Sequence, residues 1–177
     1  MGKQLEIEKK YLVEPPDSWE AIAKLFQDLV EINRISQTYL KPEKDEPSAR
    51  VRKTISGLVG DNDIKHHFNK KKFVEKGVHD EFEKEISKEE YKKHLKNIHP
   101  TKTEVEKTRF VFRYEGQLFE LDVFKGALKG LAILEIELKD KKQKVNLPTF
   151  LKIKKEVTGD SKYSNFALAE KSLHKKH

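Results

Sequence analysis

Acidic residues recur in pairs two positions apart along this sequence, and apolar residues mostly occupy the positions between them. Glu6 and Glu8 form the first pair, and Lys10 follows at the same spacing. In an extended chain, residues two positions apart point to the same side, so both carboxylates of a pair can reach one cation. Mg²⁺ and Mn²⁺ favour such oxygen ligands. The other acidic pairs are Glu81/Glu83, Glu120/Asp122 and Glu135/Glu137.

Basic residues follow the same alternation, but in different segments. The chain has a formal net charge of +7, which favours polyanionic partners such as phosphate esters, polyphosphate or nucleic acid. Bases that share one face of a strand could bind such a polyanion together. The sets predicted to share a face are Arg50 and Arg52, Lys70 and Lys72, and Lys107, Arg109 and Arg113.

The overall composition indicates a small globular protein. Its 177 residues include 36% hydrophobic residues and no cysteine. We expect residues 1–177 to form a single domain with its own core. The absence of cysteine excludes a disulfide scaffold and thiolate metal sites. The sequence has no secretory signal and no apolar run of about twenty residues, so we expect a cytoplasmic protein without a membrane partner.

The chemistry-bearing residues lie mainly on predicted strands. Apolar and charged residues alternate with period two in each of these segments, as expected for strands with one apolar face. A loop is expected around residues 61–63, and His66 and His67 are expected to belong to it. The predicted strands are residues 5–13, 49–53, 68–74, 81–86, 107–114, 118–124 and 132–138.

Helical spacing of apolar residues appears in two longer segments. Residues 18–32 are predicted to form a helix that begins with Asp17 as a capping residue. A second helix is predicted to begin at Ser87, where Glu90 completes a capping box. Two shorter helices are predicted near residues 148–156 and 164–173.

Two arrangements could explain strands with one charged face. An antiparallel sheet with that face in water would produce the alternation in any single strand. Such a sheet does not require acidic strands to be separate from basic ones. If the sheet instead closes into a barrel with the charged face inside and the helices outside, the acids and bases converge on a lumen. That lumen would suit a hydrated, highly charged ligand.

The segment EIEKK at residues 6–10 resembles the Glu-x-Glu-x-Lys signature of the CYTH family. These triphosphate tunnel metalloenzymes include tripolyphosphatases, thiamine triphosphatases and one class of adenylate cyclases. Two positions depart from the family pattern, because His79 and Lys162 stand where relatives often have arginine. The resemblance continues through QTYL at 37–40, RVR at 50–52, the lysine of NKKKF at 72, EFEKEI at 81–86, EKTRF at 106–110, FELDVFKG at 119–126, LEIEL at 134–138 and EVTGDSKYSN at 156–165.

The resemblance implies an α+β fold in which a closed antiparallel barrel of about eight strands encloses a triphosphate tunnel, with helices flanking it. It also implies roles for individual residues. Lys10 and Tyr39 match a lysine and tyrosine pair that assists catalysis in some members, and Glu8 joins them as a candidate catalytic residue. The expected triphosphate-binding residues are Lys10, Arg50, Arg52, Lys72, Lys107, Arg109 and Lys162. The expected ligands of Mg²⁺ or Mn²⁺ are Glu6, Glu8, Glu120, Asp122, Glu135 and Glu137.

Glu81 and Glu83 are expected to be supporting acids, which could bind metal, orient water or hold basic residues in place. The function we predict is metal-dependent hydrolysis of a small-molecule triphosphate, foremost inorganic tripolyphosphate, by phosphoryl transfer to water. An adenylate cyclase or thiamine triphosphatase of the same fold is the alternative. A non-catalytic module that binds polyphosphate or RNA is a second alternative, which the sequence disfavours because the aromatic residues lie mainly on the apolar face. A homodimer stays open.

Overall fold

The computed structural model describes residues 2–57 and 63–174. Within those ranges the α-helices are α1 (Trp19–Gln27), α2 (Lys88–His94) and α3 (Asn165–Leu168). Short 3-10 helices lie at Gly126–Leu128, Ser161–Tyr163 and Lys171–His174. The strands are β1 (Gly2–Val13), β2 (Leu29–Tyr39), β3 (Ala49–Ser56), β4 (Asp63–Glu75), β5 (Val78–Ile86), β6 (Val105–Tyr114), β7 (Gln117–Phe124), β8 (Ala132–Glu137) and β9 (Ile153–Glu156).

Eight of these strands close into an antiparallel barrel. The strand order is β5-β4-β3-β2-β6-β7-β8-β1, and β1 also pairs with β5, which closes the sheet. The last strand, β9, pairs with the end of β1 outside the barrel. The predicted fold class, a closed antiparallel barrel with few helices, is therefore confirmed.

The outer face of one half of the barrel is apolar and covered by other elements. Phe112 and Phe119 are paired across β6 and β7, and their rings stack at 5.7 Å. Leu25 of α1 and Leu151, which precedes β9, are buried in the same cluster. The apolar positions of the alternating strands therefore form the core outside the barrel rather than inside it.

A second layer covers β3, β4 and β5. Here α2 buries Tyr91 against Val51 and Ile86. The predicted capping box is present, because Ser87 accepts from the backbone of Glu90 and Glu90 accepts from the backbone of Ser87. None of the helices within residues 2–57 and 63–174 combines the length and hydropathy needed to cross a membrane.

Apolar side chains fill the inside of the barrel at one end. Directly opposed residues of an antiparallel pair share a face, and Phe124 lies opposite Lys107 while Val105 lies opposite Gln37. These side chains pack with Leu168 of α3 and with Tyr39. We call this end, formed by Tyr39, Val105, Phe124, Ile133, Leu168 and Ala169, the closed end.

The prediction for the first helix was wrong at its C-terminal end. α1 ends at Gln27, and β2 begins at Leu29. Val30 and Ile32 fit helical spacing, but both are β-branched, and their segment pairs with β6 along most of its length. The capping residue also differs, since Ser18 accepts a hydrogen bond from the backbone N–H of Ala21.

Two further local predictions need correction. Residues 153–156 form β9 on the edge of β1 instead of a helix, and the helix expected at 164–173 divides into α3 and a 3-10 turn. His66 and His67 lie on β4 rather than in a loop. Of the predicted loop at residues 61–63, residues 61 and 62 lie outside the described residues, and Asp63 begins β4.

Candidate active site

A cavity of about 1280 Å³ occupies the barrel beyond the closed end. The period-two prediction of its walls is confirmed, because charged side chains from opposed strands face it. The predicted site residues that line it are Glu6, Glu8, Arg50, Arg52, Glu81, Glu83, Lys107, Arg109, Glu120, Glu135 and Glu137. The predicted site residues outside the set that lines it are Lys10, Tyr39, Lys72, Asp122 and Lys162.

Lys10 lies against the wall between two acids. Its Nζ is 3.6 Å from Glu8 and 3.5 Å from Glu135. Burial alone would lower the pKa of Lys10, but the two carboxylates outweigh that effect and raise it well above its ordinary value. Lys10 is therefore a fixed cation that holds Glu8 and Glu135 in place.

Asp122 is fully buried behind the cavity and is shared by two cations. Its carboxylate lies 2.7 Å from Lys107 Nζ and accepts hydrogen bonds of 2.7 and 2.9 Å from Arg109. Burial would raise the pKa of Asp122, but Arg109 and Lys107 lower it far below its usual range. Arg109 also contacts Glu120 at 2.6 Å. Because both oxygens of Asp122 are already bound, this arrangement does not favour Asp122 as a metal ligand.

Lys107 is a buried cation whose carboxylate partner also binds a second cation. It shares Asp122 with Arg109, and its Nζ also donates to Oδ1 of Asn165 at 3.0 Å. Burial lowers the pKa of Lys107 to about 8, and repulsion from Arg109 acts in the same direction. This lysine therefore titrates near physiological pH while it faces the cavity.

Arg50 is a buried cation without an ion-pair partner. It is 7% exposed and lines the cavity, and no carboxylate of residues 2–57 and 63–174 lies within 4 Å of its guanidinium. Burial would lower its pKa, but the hydroxyl of Tyr39 and the more distant Glu81 raise it. Tyr39 itself lies in the closed end, where its ring meets Phe166 edge-on at 5.1 Å. The structure therefore places Tyr39 beside Arg50 rather than in the cavity wall.

Three acids, Glu6, Glu8 and Glu137, lie near one another at the other side of the cavity. Burial raises the pKa of Glu137, and the charges of Glu6 and Glu8 raise it further. Glu8 and Glu137 are directly opposed across β1 and β8. The charges of Glu6 and Glu8 therefore repel that of Glu137, and a cation bound among them would relieve the repulsion.

The expected position of Lys72 is wrong, and its neighbour takes its place. Lys72 is exposed, whereas Lys71 lines the cavity and contacts Glu6 at 2.9 Å. Three consecutive lysines carry no alternation of their own. Phe68 shows which of these lysines face outward. It packs outside the barrel, so every second residue from Phe68 to Lys72 lies on the outer face.

Lys162 also lies away from the cavity. It is exposed on the 3-10 helix after β9, where its backbone N–H donates to Asp160 at 3.1 Å. The same C-terminal segment instead delivers Asn165, which lines the cavity and accepts from Lys107. The resemblance therefore located the right segment but not the side chain that faces inward.

Glu81 and Glu83 hold neighbouring side chains in place. Asn69 donates to Glu81 at 2.6 Å and to Glu83 at 3.1 Å, and Arg52 lies 3.4 Å from Glu83. His67 is 3.9 Å from Glu83. Of the three roles that the sequence left open, these contacts favour holding the basic residues.

Sequence reasoning missed the neutral side chains of the cavity. Asn165 and Gln37, which line the cavity, and Asn69, which donates to Glu81 and Glu83, were not identified, because amides carry no charge. Strand parity could have found Gln37, which lies opposite Arg52. The same reasoning applies to Asn69, which lies opposite Arg50.

The described charged groups of the barrel interior do not balance. Counted over the described side chains that line the cavity, together with Lys10 and Asp122 just behind its wall, ten carboxylates face nine cationic side chains, so the excess is one negative charge. No three acidic or histidine side chains of the described chain are close enough together to hold a metal ion alone. The carboxylates are Glu6, Glu8, Glu81, Glu83, Glu85, Glu120, Asp122, Glu135, Glu137 and Asp140, and the cations are Lys10, Arg50, Arg52, Lys71, Lys84, Lys107, Arg109, Arg113 and Lys139.

Known proteins resemble this chain over nearly its whole length. The family model described as the CYTH domain matches residues 4–165. A protein of Acetivibrio thermocellus named inorganic triphosphatase is 34% identical over 178 residues, which cover 96% of this chain and 95% of that protein. A protein of Nitrosomonas europaea with the same name is 46% identical over 68 residues, which cover 37% of this chain and 44% of that protein. The crystal structure of the inorganic triphosphatase NE1496 matches with a TM-score of 0.56 and 28% identity over 93% of each chain.

Proposed function

The chain belongs to the CYTH family, and we propose that it is a divalent-metal-dependent hydrolase of inorganic triphosphate. The family predicted from the sequence is confirmed, since the family model covers residues 4–165. The activity named for the two relatives supports a triphosphatase here. The substrate is accordingly a small molecule that fits inside the barrel.

The observation that carries the proposal is the buried guanidinium of Arg50 at the cavity wall, which has the Tyr39 hydroxyl beside it but no carboxylate within 4 Å among the described residues. Taking an ionised group out of water without an opposite charge is costly. Such a cation is compatible with a stable fold when an anion normally completes it. Arg52 and Lys107 line the same cavity and extend the cationic surface along it.

A divalent cation suits the carboxylates of the cavity that the lysines and arginines do not balance. The excess of carboxylates over cations would repel a bare polyanion, so a triphosphate needs positive charge that this chain does not supply. Glu6, Glu8 and Glu137 offer oxygen atoms that repel one another. Because a full protein cage is absent from the described residues, we infer one or two carboxylates per ion, with phosphate and water completing the coordination.

We assign the binding of Mg²⁺ or Mn²⁺ to Glu6, Glu8 and Glu137, with Glu135 and Glu120 next. When bound, such an ion stabilises charge on phosphate oxygens and lowers the pKa of a bound water. A cation contacts four of these acids, since Lys71 lies beside Glu6, Lys10 beside Glu8 and Glu135, and Arg109 beside Glu120. Glu6 and Glu8 come first because their charges act on Glu137, which has no ion-pair partner among the described residues. Asp122 was predicted from the sequence to bind metal. We propose instead that it keeps Lys107 and Arg109 oriented.

The chain's own cationic residues position the phosphate groups. Arg50, Arg52 and Lys107 present donors from adjacent or nearby strands, so the substrate is bound along the barrel rather than at one point. Since a loose phosphoryl-transfer transition state needs little covalent help, positioning and electrostatic stabilisation supply most of the rate. The predicted catalytic pair of Lys10 and Tyr39 stays a prediction, with Lys10 holding Glu8 and Tyr39 supporting Arg50.

Phosphate release from tripolyphosphate with Mg²⁺ or Mn²⁺ tests the function. Replacing Glu6 and Glu8 together with glutamine should lower turnover at least about a hundredfold, because charge stabilisation at the phosphates is lost. The matched control is Glu20→Gln on the exposed surface of α1, which should leave turnover unchanged. Unaltered turnover in the double variant would remove the metal assignment.

A substrate panel separates the alternatives. Tripolyphosphate, thiamine triphosphate, ATP and long polyphosphate are compared, and the products are identified. Cyclic AMP from ATP would indicate a cyclase, and a preference for thiamine triphosphate would move the assignment to that substrate. Binding of polyphosphate or RNA without phosphate release under any divalent ion would indicate a binding module.

We also infer one domain over residues 1–177, because β1 and β9 come from opposite ends of the chain and pair directly. The cytoplasmic location and a homodimer stay predictions.

A further inference from the structure

Gln37 is a buried amide with no hydrogen-bond partner for its donor group. Its side chain is 1% exposed and lines the cavity. Nε2 of Gln37 makes no hydrogen bond to any described residue. A buried donor without a partner is rare in folded proteins because it loses its hydrogen bonds to water. At a cavity wall, such a donor indicates a missing acceptor.

The neighbours of Gln37 identify the kind of acceptor. Gln37 lies opposite Arg52 on β3, and Arg50 follows two positions away on the same face as Arg52. Nε of Arg50 and Nε of Arg52 are also buried without partners. Three unpartnered donors on two adjacent strands describe a site for one group rich in acceptor oxygens.

The position of Gln37 within the barrel identifies which part of the ligand reaches it. On its other side Gln37 lies opposite Val105, which is fully buried in the closed end. Tyr39, the next inward residue of β2, belongs to the closed end as well. The inner end of a chain that enters the cavity from the opposite side would therefore lie beside Gln37.

We propose that Gln37 is a substrate-binding residue whose side-chain amide donates a hydrogen bond to the terminal phosphoryl group of the triphosphate. This inference rests on the proposed function and adds a neutral contact at the inner end of the substrate. An amide can donate to a phosphate oxygen while its own oxygen accepts from a guanidinium. Gln37 thus recognises the end of the chain without adding to the charge of the site.

Direct binding tests this role independently of turnover. The probe is the methylene-bridged analogue of tripolyphosphate, whose P–C–P links resist hydrolysis, titrated calorimetrically in the presence of Mg²⁺. Gln37→Met keeps length and volume but removes the donor, and its dissociation constant should rise about tenfold or more. Gln37→Glu keeps the shape but places a carboxylate against the phosphate, and it should bind more weakly still.

The stability of the ligand-free variants separates binding from folding. Because Nε2 has no partner to lose, Gln37→Met should melt at or above the temperature of the parent protein. Gln27→Leu makes a comparable polar-to-apolar change on the exposed end of α1 and should leave binding unchanged. If Gln37→Met lowers the melting temperature strongly, Gln37 is structural and the inference is overturned.

The binding results decide the inference whether or not the protein is a hydrolase. Equal affinity of the parent protein and Gln37→Met overturns it, as does equal affinity of the parent protein and Gln37→Glu. If the parent protein binds the analogue but releases no phosphate from tripolyphosphate, the proposed function fails and the role of Gln37 is still measured. If the parent protein does not bind the analogue, both the proposed function and the role of Gln37 are contradicted.

Discussion

Replacing Arg50 with methionine should weaken the substrate complex far more than it changes the stability of the ligand-free protein. The guanidinium is buried and has no carboxylate within 4 Å among the described residues. Burial disfavours this charge, whereas the Tyr39 hydroxyl and Glu81 favour it, so its removal should change the free energy of unfolding by about 1 kcal/mol or less. For a chain of this length, that change corresponds to a shift in melting temperature of at most about 2–4 °C.

The loss of binding free energy should be larger than the change in the free energy of unfolding. Truncating one partner of a buried charge contact costs about 2–5 kcal/mol of binding free energy, which corresponds to roughly 30-fold to 4,000-fold in affinity. At an analogue concentration of about 100 times the parent dissociation constant, the parent protein gains about 2.7 kcal/mol of stability. Its melting temperature should then rise by about 5–11 °C. A variant that binds 100-fold more weakly gains only about 0.4 kcal/mol.

The assay is thermal unfolding with and without the methylene-bridged analogue and Mg²⁺, for Arg50→Met, the parent protein and Arg113→Met. Arg113 lines the same cavity but is exposed, so its replacement should change the ligand-induced shift much less. If Arg50→Met melts well below the parent protein, the guanidinium stabilises the fold and the reasoning is refuted. An undiminished ligand-induced shift in Arg50→Met would refute it equally.

Three further results are expected. The value of kcat/KM for tripolyphosphate should fall above pH 8, because burial lowers the pKa of Lys107 to about 8 and deprotonation removes a cation from the cavity. Lys107→Arg, measured from pH 7 to 10, should abolish that fall. A pH profile identical to that of the parent protein would contradict the assignment. Asp122→Asn should lower the free energy of unfolding by about 3–5 kcal/mol in urea titrations, since the buried Lys107 loses its carboxylate partner and Arg109 keeps only Glu120. A loss under 1 kcal/mol would count against this network. Gly77→Ala should destabilise the protein and reduce turnover, because φ is +75° there and the added Cβ would lie 2.9 Å from the Glu8 carbonyl oxygen. Gly116→Ala, at φ +73° with open space around it, should show only the backbone strain and retain turnover, and equal effects of the two changes would exclude the contact as the cause.

The residues that face the inside and the outside of the barrel could be predicted because apolar and charged residues alternate within the sequence of each strand. In β7 and β8 the apolar positions form the outer core and the acidic positions face the cavity or lie just behind it, as expected from parity. Glu120 and Glu135 are directly opposed across these strands. Parity therefore carried information about which residues meet, even without knowledge of the strand order.

Parity failed where neighbouring residues were chemically alike or where two periodicities overlapped. The lysines at positions 70–72 gave no alternation, and the outward Phe68 alone fixed the register. β2 was missed because Val30 and Ile32 continue the helical spacing of α1, and only pairing with β6 makes that segment extended. The sequence also could not show that Nε2 of Gln37 lacks a hydrogen-bond partner. An exposed glutamine hydrogen-bonds to water, and only the tertiary structure shows that this amide is buried.

Because apolar side chains fill the closed end, a linear chain that enters the described barrel from the other end moves in and out along one line. If hydrolysis cuts a bond of that chain, the deeper fragment lies behind the outer one. The outer fragment must depart first, and the inner phosphate follows only when that path is clear. Product departure is thus sequential, and a fragment lingering at the mouth would hold back both the remaining product and the next substrate molecule.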